Sequence, residues 1–338
     1  MFALGVAIPA GTASAAPPTG LRAAAAPDSD EEGGSPSLRA QLEAASKGYL
    51  DAKRALDTSV QRQQQLATKL KGIEVELAQR DGKVGQIAGV AYRTGRLGTV
   101  SALLNSNSPE GFMDRAAALE AVAANEDRVL RDLLATKDQA NRTRAALNGE
   151  IIEQRKQVAV MAKRKDQAER ALTVANTPKP QTTADTGSNR GTSTANAKAA
   201  PRNSDGSWPS ESCSVNDPTP ANGCITPRTL HALNQAKAAG FTRYVSCHRP
   251  SGSGEHPKGR ACDFAAQKSG FGGNATGGDK TYGNNLAAYF IRNADQLAVL
   301  YVIWYRQIWL PSSGWKSYSG AGGTPSTDHT NHVHLSVY

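Results

Sequence analysis

The first 205 residues of this chain contain no histidine, no cysteine and no tryptophan. They therefore lack the imidazole and thiolate side chains that most often bind zinc and other transition metals. All six His, all four Cys and all four Trp of the 338 residues follow residue 205. We expect a compact domain with an aromatic core, and any histidine-based metal site, only in the C-terminal part.

The chain also lacks any run of 18 apolar residues, so it predicts no membrane-spanning segment in the mature protein. No RNA- or DNA-binding motif is visible, and no basic run is interleaved with aromatic residues, which argues against a nucleic-acid partner. The formal net charge is +9. A basic surface of this kind fits an anionic cell-wall polymer better.

Residues 1–15 read as the end of a secretory signal peptide. An apolar stretch over residues 2–10 precedes Ala13-Ser14-Ala15, which has the A-x-A form of a cleavage site. Because a basic n-region is missing, we expect that the true start lies upstream or that the sequence begins inside the signal. The alternative is an Ala-rich disordered leader. Export predicts a secreted or cell-envelope protein.

An exported protein folds in an oxidising environment, where four Cys in one small domain predict two disulfides. Four Cys allow three connectivities, and we favour Cys213–Cys224 with Cys247–Cys262.

Residues 16–36 are rich in Pro, Ala, Asp, Glu and Gly and predict a disordered lead-in, and residues 37–176 predict a helical hairpin. With Leu42 as the first a position, most a and d positions over six heptads are apolar, which is the seam of a coiled coil. The a positions are Leu42, Tyr49, Leu56, Gln63, Leu70, Leu77 and Val84, and the d positions are Ala45, Ala52, Ser59, Leu66, Ile73, Arg80 and Ile87.

The heptad pattern breaks at residues 95–98 and 105–109. Ser108 can cap a second helix over about 109–175, with Pro109 in its first turn. Two long helices with a short break predict an antiparallel hairpin. The second helix has an apolar stripe of Leu119, Val122, Val129, Leu133, Leu147, Ile151, Val158 and Met161.

Residues 177–205 predict a disordered linker, because Pro, Thr, Ser, Asn, Gly and Lys offer nothing to bury. Residues 206–338 mix helices and strands irregularly, which predicts a small α+β domain. One predicted helix begins at Thr226-Pro227, as the N-cap and the first helical residue, and ends at Ala239. A second predicted helix covers residues 284–293. The predicted strands cover 244–247, 261–265, 299–304 and 332–337.

The C-terminal domain contains a metal-ligand pattern. His256 and Asp263 are separated by six residues that include Pro257 and Gly259, which oppose a helix, so a loop must bring His256 back to Asp263. His332 and His334 share one face of the last strand. One His, one Asp and one of these two His would form a three-ligand site with an open position, as in catalytic zinc sites. Ordinary polar histidines and a structural zinc site are the alternatives.

The pattern H-x6-D followed by H-x-H resembles the LAS metallopeptidases, named for lysostaphin, D-Ala-D-Ala carboxypeptidases and sonic hedgehog. The closing H-x-x-H-x-H is similar to that of penicillin-insensitive murein endopeptidases and of carboxypeptidase-like domains in actinobacterial secreted proteins. The resemblance covers about residues 206–338. It implies a LAS-like fold and zinc-dependent hydrolysis of peptides in bacterial peptidoglycan.

The resemblance also implies roles for individual residues. The zinc ligands would be His256, Asp263 and His334. His332 would be the general base, because Asn331 stands where related branches carry a glutamate. His329 would orient a ligand or the substrate, and Arg249 would bind a substrate carboxylate or the developing oxyanion, with a surface arginine as the alternative.

The helical region is similar to coiled coils that precede cell-wall endopeptidases in actinobacteria, on residues 92–97, 103–106 and 109–112. That resemblance implies a hairpin that restrains or positions the catalytic domain, with a membrane or divisome protein as its partner. The sequence thus favours a secreted peptidoglycan peptidase, because every expected zinc position is filled. The alternatives are a non-catalytic envelope scaffold that recruits hydrolases, and a zinc amidase or esterase.

Overall fold

The computed structural model describes residues 35–95, 101, 103–176, 194–318 and 323–338. The predicted signal segment 1–15, the lead-in up to residue 34 and the linker residues 177–193 lie outside these ranges. The chain divides into two compact units. One comprises residues 41–170 with 202–209. The other comprises residues 171–201 and 210–338, with the described residues before 41.

The first unit is built from two long helices, α1 (Pro36–Thr94) and α2 (Pro109–Ala175). As predicted, the Ser108 hydroxyl caps α2 and accepts a hydrogen bond from the Gly111 amide at 3.1 Å. In three side-chain pairs that join the helices, the partners in α2 move towards its start as the residues in α1 move towards its end, which confirms the antiparallel hairpin. These pairs are Ser59 with Glu150 (2.6 Å), Glu74 with Arg144 (2.8 Å) and Arg80 with Asp132 (3.0 Å).

The burial of α1 follows the predicted heptad register. Between residues 61 and 88, the a and d positions from Gln63 to Ile87 are at least partly buried, and every other residue is exposed. In α2 the predicted apolar stripe is only partly confirmed, because Val122 and Val158 are exposed. The small residues Thr136, Ala140 and Thr143 are buried there instead. Among the described residues, no helix is long and apolar enough to span a membrane.

The second unit contains the C-terminal domain. Its elements are β1 (Val215–Asn216), β2 (Cys224–Ile225), α3 (Pro227–Ala238), β3 (Val245–Ser246), β4 (Ala261–Ala265), α4 (Gly277–Arg292), β5 (Val299–Trp304), β6 (Gln307–Leu310), β7 (Gly314–Ser317) and β8 (His332–Val337). Six of the strands form one sheet, antiparallel throughout, in the order β3-β4-β8-β5-β6-β7. The last strand of the chain, β8, therefore lies in the middle of this sheet, and β1 and β2 form a separate two-stranded ribbon.

The predicted strands β4, β5 and β8 are confirmed to the residue, and the side chain of Thr226 caps α3 by accepting from the Thr229 amide at 3.2 Å. The short strands β6 and β7 were not predicted. The helix α4 begins at Gly277 rather than Asn284, because its three glycines obscured the helical pattern. Gly283 is required there, since a Cβ would lie 2.3 Å from the ring of Trp304.

The two faces of β8 serve different purposes. Val333, Leu335 and Val337 belong to the hydrophobic core, to which α3 and α4 also contribute buried residues. The alternating residues His332, His334 and Ser336 lie on the opposite face. Packing of the apolar face of β8 in the core therefore fixes the position of its polar face.

Disulfides and backbone hydrogen bonds hold the loops of this domain in place. Both favoured disulfides, Cys213–Cys224 and Cys247–Cys262, are present. Residues 194–201, which their composition places in the linker, run along the domain: the amide of Ala197 donates to Asn293 Oδ1, and that of Ala200 to the Gln296 carbonyl, both at 2.8 Å. Such backbone bonds need no apolar residues, so composition could not reveal them.

Candidate metal centre

The pairing of β4 with β8 brings two of the predicted ligands together. Asp263 is the direct cross-strand partner of His334, and Asp263 Oδ1 lies 2.9 Å from His334 Nδ1. Both residues are buried, with exposures of 1% and 0%. Strand register, rather than loop conformation, thus sets the separation of these two groups.

The third predicted ligand, His256, reaches the sheet from a tight turn before β4. The Glu255 carbonyl accepts hydrogen bonds from the amides of Lys258 (3.2 Å) and Arg260 (2.9 Å). The turn ends at Gly259, whose φ of +69° is left-handed and where a Cβ would lie 2.5 Å from Cys213 Sγ. Only glycine fits both conditions. This turn places His256 against the sheet.

The buried carboxylate of Glu255 strengthens the same turn. Glu255 is 2% exposed and forms ion pairs with Arg260 at 2.5 Å and with Lys258 at 3.1 Å. No motif in the sequence assigns Glu255 a role. Its position next to His256 makes it a structural anchor for the first ligand.

Three ligand atoms face one another at the centre of the site. His256 Nε2 lies 3.1 Å from Asp263 Oδ2 and 3.3 Å from His334 Nδ1. Tetrahedral zinc with bonds of about 2.0–2.2 Å separates its ligand atoms by about 3.3–3.6 Å. The observed triangle is slightly smaller than that, so small side-chain shifts would let it accept a zinc ion with a fourth position open.

The remaining nitrogen of His256 is also bound. Its Nδ1–H donates to the carbonyl oxygen of Cys247, the residue that follows β3 and is disulfide-bonded to Cys262. With the proton on Nδ1, the lone pair of Nε2 points to the ligand triangle. Such a backbone contact fixes the tautomer of a ligating histidine.

His332 lies beside the triangle without belonging to it. Its Nε2 is 3.5 Å from Asp263 Oδ1 and, among the described residues, makes no hydrogen bond. Its Nδ1–H donates to Asn331 Oδ1 at 2.7 Å. The amide of Asn331 is oriented in turn, because its Nδ2 donates to the Gly272 carbonyl at 2.9 Å. His332 therefore presents an unprotonated Nε2 to the site.

His329 lies in the loop before β8, with a left-handed φ of +52° that turns its ring towards the other histidines. Its ring centroid is 4.7 Å from that of His332 and 5.7 Å from that of His334. Its Nε2 is buried and has no hydrogen-bond partner within the described ranges. The structure therefore brings all three closing histidines into one cluster.

Arg249 also enters the site. It is 7% exposed, so it is not a surface arginine, and its Nη2 lies 3.7 Å from Asp263 Oδ2. The loop that carries it is held by Asp217, whose Oδ2 accepts from the His248 amide at 2.8 Å. A guanidinium so placed can bind a carboxylate or an oxyanion at the edge of the triangle.

Burial and neighbouring charges set the protonation of the cluster. Burial alone would raise the pKa of Asp263, but the imidazoles of His256, His332 and His334 that face its carboxylate hold that pKa well below its usual value. Burial lowers the pKa of His332 to about 4, and burial with the facing His332 and His334 lowers that of His329 well below its usual value. Near pH 7 the site therefore contains the Asp263 carboxylate beside the neutral imidazoles of His332 and His329.

A second group of metal-binding residue types lies elsewhere in the domain. Cys213, Cys224 and His248 are close enough to surround an ion. The two sulfur atoms are joined in a disulfide, so they offer no thiolate. His231 belongs to neither group, and its Nε2–H donates to the Lys198 carbonyl at 2.8 Å.

Comparison with known families gives one match. The family model described as VldE, C-terminal domain, matches residues 221–330. The matched segment contains His256, Asp263 and His329 and ends before His332 and His334. No curated protein and no solved structure matches the chain.

Proposed function

We propose that this protein is an exported zinc-dependent peptidase that acts on the peptides of bacterial peptidoglycan. One observation carries the proposal: the buried triangle of His256 Nε2, Asp263 and His334 Nδ1, beside a neutral His332. Three protein ligands with an open position are typical of catalytic rather than structural zinc. A structural site would more often use cysteines, and here all four are disulfide-bonded.

The side chains divide the chemistry among them. Zinc, when bound, would supply a Lewis acid that polarises a peptide carbonyl and acidifies water. His332 has its Nε2 lone pair directed into the site, so it is suited to take a proton from water and to pass it to the leaving amine. Arg249 supplies positive charge where a substrate carboxylate or a developing oxyanion would lie.

His329 supports the site without contacting the ligand triangle through a hydrogen bond. Its ring packs against His332 and His334 and helps to exclude water from their faces. A water-poor site strengthens the electrostatic contribution of Arg249 and keeps the imidazoles of His329 and His332 neutral.

The substrate class rests on the motif resemblance and on charge. The H-x6-D and H-x-H spacing resembles peptidases of the bacterial cell wall, and the net charge of +9 favours adsorption to an anionic wall polymer. Two disulfides fit an oxidising environment outside the cytosol. In this proposal the hairpin positions or restrains the peptidase domain and binds a membrane or divisome protein.

The test uses the full chain. Zinc-loaded protein is incubated with purified cross-linked peptidoglycan, and the released muropeptides are identified by mass spectrometry. We expect about one zinc per chain and a defined cut in stem or cross-link peptides. His334→Ala should lose both, whereas His231→Ala, a histidine outside the triangle, should keep both.

Three results would overturn the proposal. Wild-type protein that binds no zinc would remove its basis. Zinc-loaded protein that binds the wall but leaves every muropeptide intact would support the envelope scaffold instead. Cleavage of an amide between sugar and peptide, or of an ester, would assign the site to an amidase or esterase.

A further inference from the structure

Ser336 lies two residues after His334 on β8, so the two side chains share one face of the strand. Its Oγ is 2.8 Å from His334 Nε2, and Ser336 is fully buried. Ser336 is paired with Ala261 on β4 and with Tyr301 on β5. The hydroxyl is thus fixed in the sheet rather than borne on a loop.

The two nitrogens of His334 have competing partners. Nδ1 faces Asp263 Oδ1 at 2.9 Å, and Nε2 faces Ser336 Oγ at 2.8 Å. A neutral imidazole carries one proton and can bind a metal only through the other nitrogen. In the metal-free protein, the carboxylate of Asp263 would by itself attract the proton to Nδ1, the nitrogen that must be free to bind a metal.

We propose that Ser336 is a positioning residue for the metal centre. When Nδ1 of His334 binds a metal, Nε2 carries the proton, and the Ser336 oxygen accepts it and holds the ring with Nδ1 towards His256 and Asp263. This inference rests on the metal-binding part of the proposed function. The hydroxyl acts through His334 and does not contact substrate.

The surroundings of the ring support this role. Tyr301 stacks on His334 with a centroid distance of 5.7 Å and an interplanar angle of 10°. The stacked ring limits the plane of the imidazole but does not distinguish its two nitrogens. Ser336 contacts Nε2, the nitrogen that must carry the proton when Nδ1 binds a metal, so its oxygen is placed to accept that proton in the metal-bound form. Groups that orient a ligating histidine in this way typically contribute 10- to 100-fold to metal affinity, which sets the scale of the expected effect.

The experiment compares zinc dissociation constants by competition with a chelator, in the full chain. We expect Ser336→Ala to weaken zinc binding by about 10- to 100-fold. Ser336→Thr keeps the oxygen and should recover most of the affinity. Ser246→Ala removes an equally buried serine from the same sheet, on β3, and should leave zinc affinity close to that of the wild type.

A second readout follows the tautomer directly. In the zinc-loaded protein, nitrogen-15 chemical shifts of His334 should report an Nε2–H with a hydrogen-bond acceptor for the wild type and an Nε2–H that has lost this acceptor for Ser336→Ala. Melting temperatures in excess chelator show whether each variant is folded. If Ser336→Ala does not fold, Ser336→Cys carries the same test, because a thiol is a weaker acceptor.

Unchanged zinc affinity in a folded Ser336→Ala protein overturns the inference. Equal weakening in Ser336→Ala and in a folded Ser336→Thr protein would also overturn it, because the loss would then follow packing rather than the acceptor. The outcome is separable from that of the proposed function. Wild-type protein that binds zinc without cutting muropeptides leaves the role of Ser336 intact, and an affinity independent of Ser336 leaves the peptidase intact.

Discussion

Asp263 and His334 are cross-strand partners at the centre of the sheet, with Asp263 Oδ1 at 2.9 Å from His334 Nδ1. Their separation is fixed by the hydrogen-bonded ladder between β4 and β8 and therefore does not depend on loop closure. The site is consequently preorganised for a cation, because the neighbouring imidazoles favour the ionised form of the Asp263 carboxylate. This arrangement leads to specific expectations for variants of the cluster.

The charge of Asp263 should be essential for metal binding. Asp263→Asn keeps the shape of the side chain but removes the negative charge, so we expect bound zinc to be lost, as measured by metal analysis after gel filtration. Asp279→Asn is the matched control, because Asp279 is a half-exposed carboxylate of the same domain that pairs with Arg243 at 2.8 Å. Zinc retained in Asp263→Asn at the wild-type level would contradict the ligand assignment.

His332 should separate catalysis from metal binding. Because its Nε2 lies beside the ligand triangle rather than in it, His332→Ala should keep about one zinc per chain. The turnover number should fall by about 10²- to 10⁴-fold, the range for loss of a general base. The measurements are zinc content and initial rates of muropeptide release. Loss of zinc together with activity would instead make His332 a ligand.

The zinc-free protein should lose stability as the pH falls from 7 to 4. Burial lowers the pKa of His332 to about 4, against about 6.5 in an unfolded chain, so the unfolded state binds more protons between these values. The stability contributed by neutral His332 is complete above pH 6.5 and is lost as the pH approaches 4. The interval corresponds to about 3 kcal/mol.

Asp263 extends the same trend, because a carboxyl with a lowered pKa in the folded state loses its contribution below the unfolded value near 4. Urea unfolding in excess chelator at several pH values measures the slope. His332→Gln should flatten it between pH 6.5 and 4. A stability that rises on acidification would contradict the protonation states assigned to the cluster.

Much of the site could be predicted from the sequence because its residues lie close to regular strands. The i, i+2 spacing of His332 and His334 fixes a shared face, and the apolar alternation of β8 fixes which face packs into the hydrophobic core. The partners that orient these histidines could not be predicted. Asn331 and the Cys247 carbonyl gain their roles only from tertiary contacts with Gly272 and His256.

The role of Ser336 could be predicted from the sequence only in part. The two-residue period of β8 predicts that it shares a face with His334, but serine is common in strands and loops, and its spacing alone does not indicate a contact with imidazole. In the hairpin, large apolar residues revealed the seam of α1, whereas the small residues Ala140 and Thr143 of α2 did not. Small side chains are buried at close helix contacts without leaving a hydrophobic signal.

The turn that carries His256 should depend on the buried carboxylate of Glu255. Glu255→Gln removes the buried counter-charge of the partly buried Arg260, so we expect the free energy of unfolding of the zinc-free protein to fall by about 3–5 kcal/mol. Zinc affinity should fall as well, because the turn positions His256. Lys258→Gln removes the other, half-exposed partner of the same carboxylate and should cost less than about 1 kcal/mol. Equal effects of the two variants, measured by chelator-free and chelator-containing urea unfolding, would contradict this role.

The heptad register of the hairpin can be tested with two neighbouring residues of α1. Ile73 is a d position with 5% exposure, whereas Val75 is 56% exposed on the same helix. An aspartate in the seam must lose its hydration, so Ile73→Asp should destabilise the helical unit by more than about 2 kcal/mol. Val75→Asp introduces the same side chain where water already reaches it and should change stability by less than about 0.5 kcal/mol. Helical circular dichroism during thermal unfolding distinguishes the two. Equal loss of helix stability in both variants would place the seam on another face of α1.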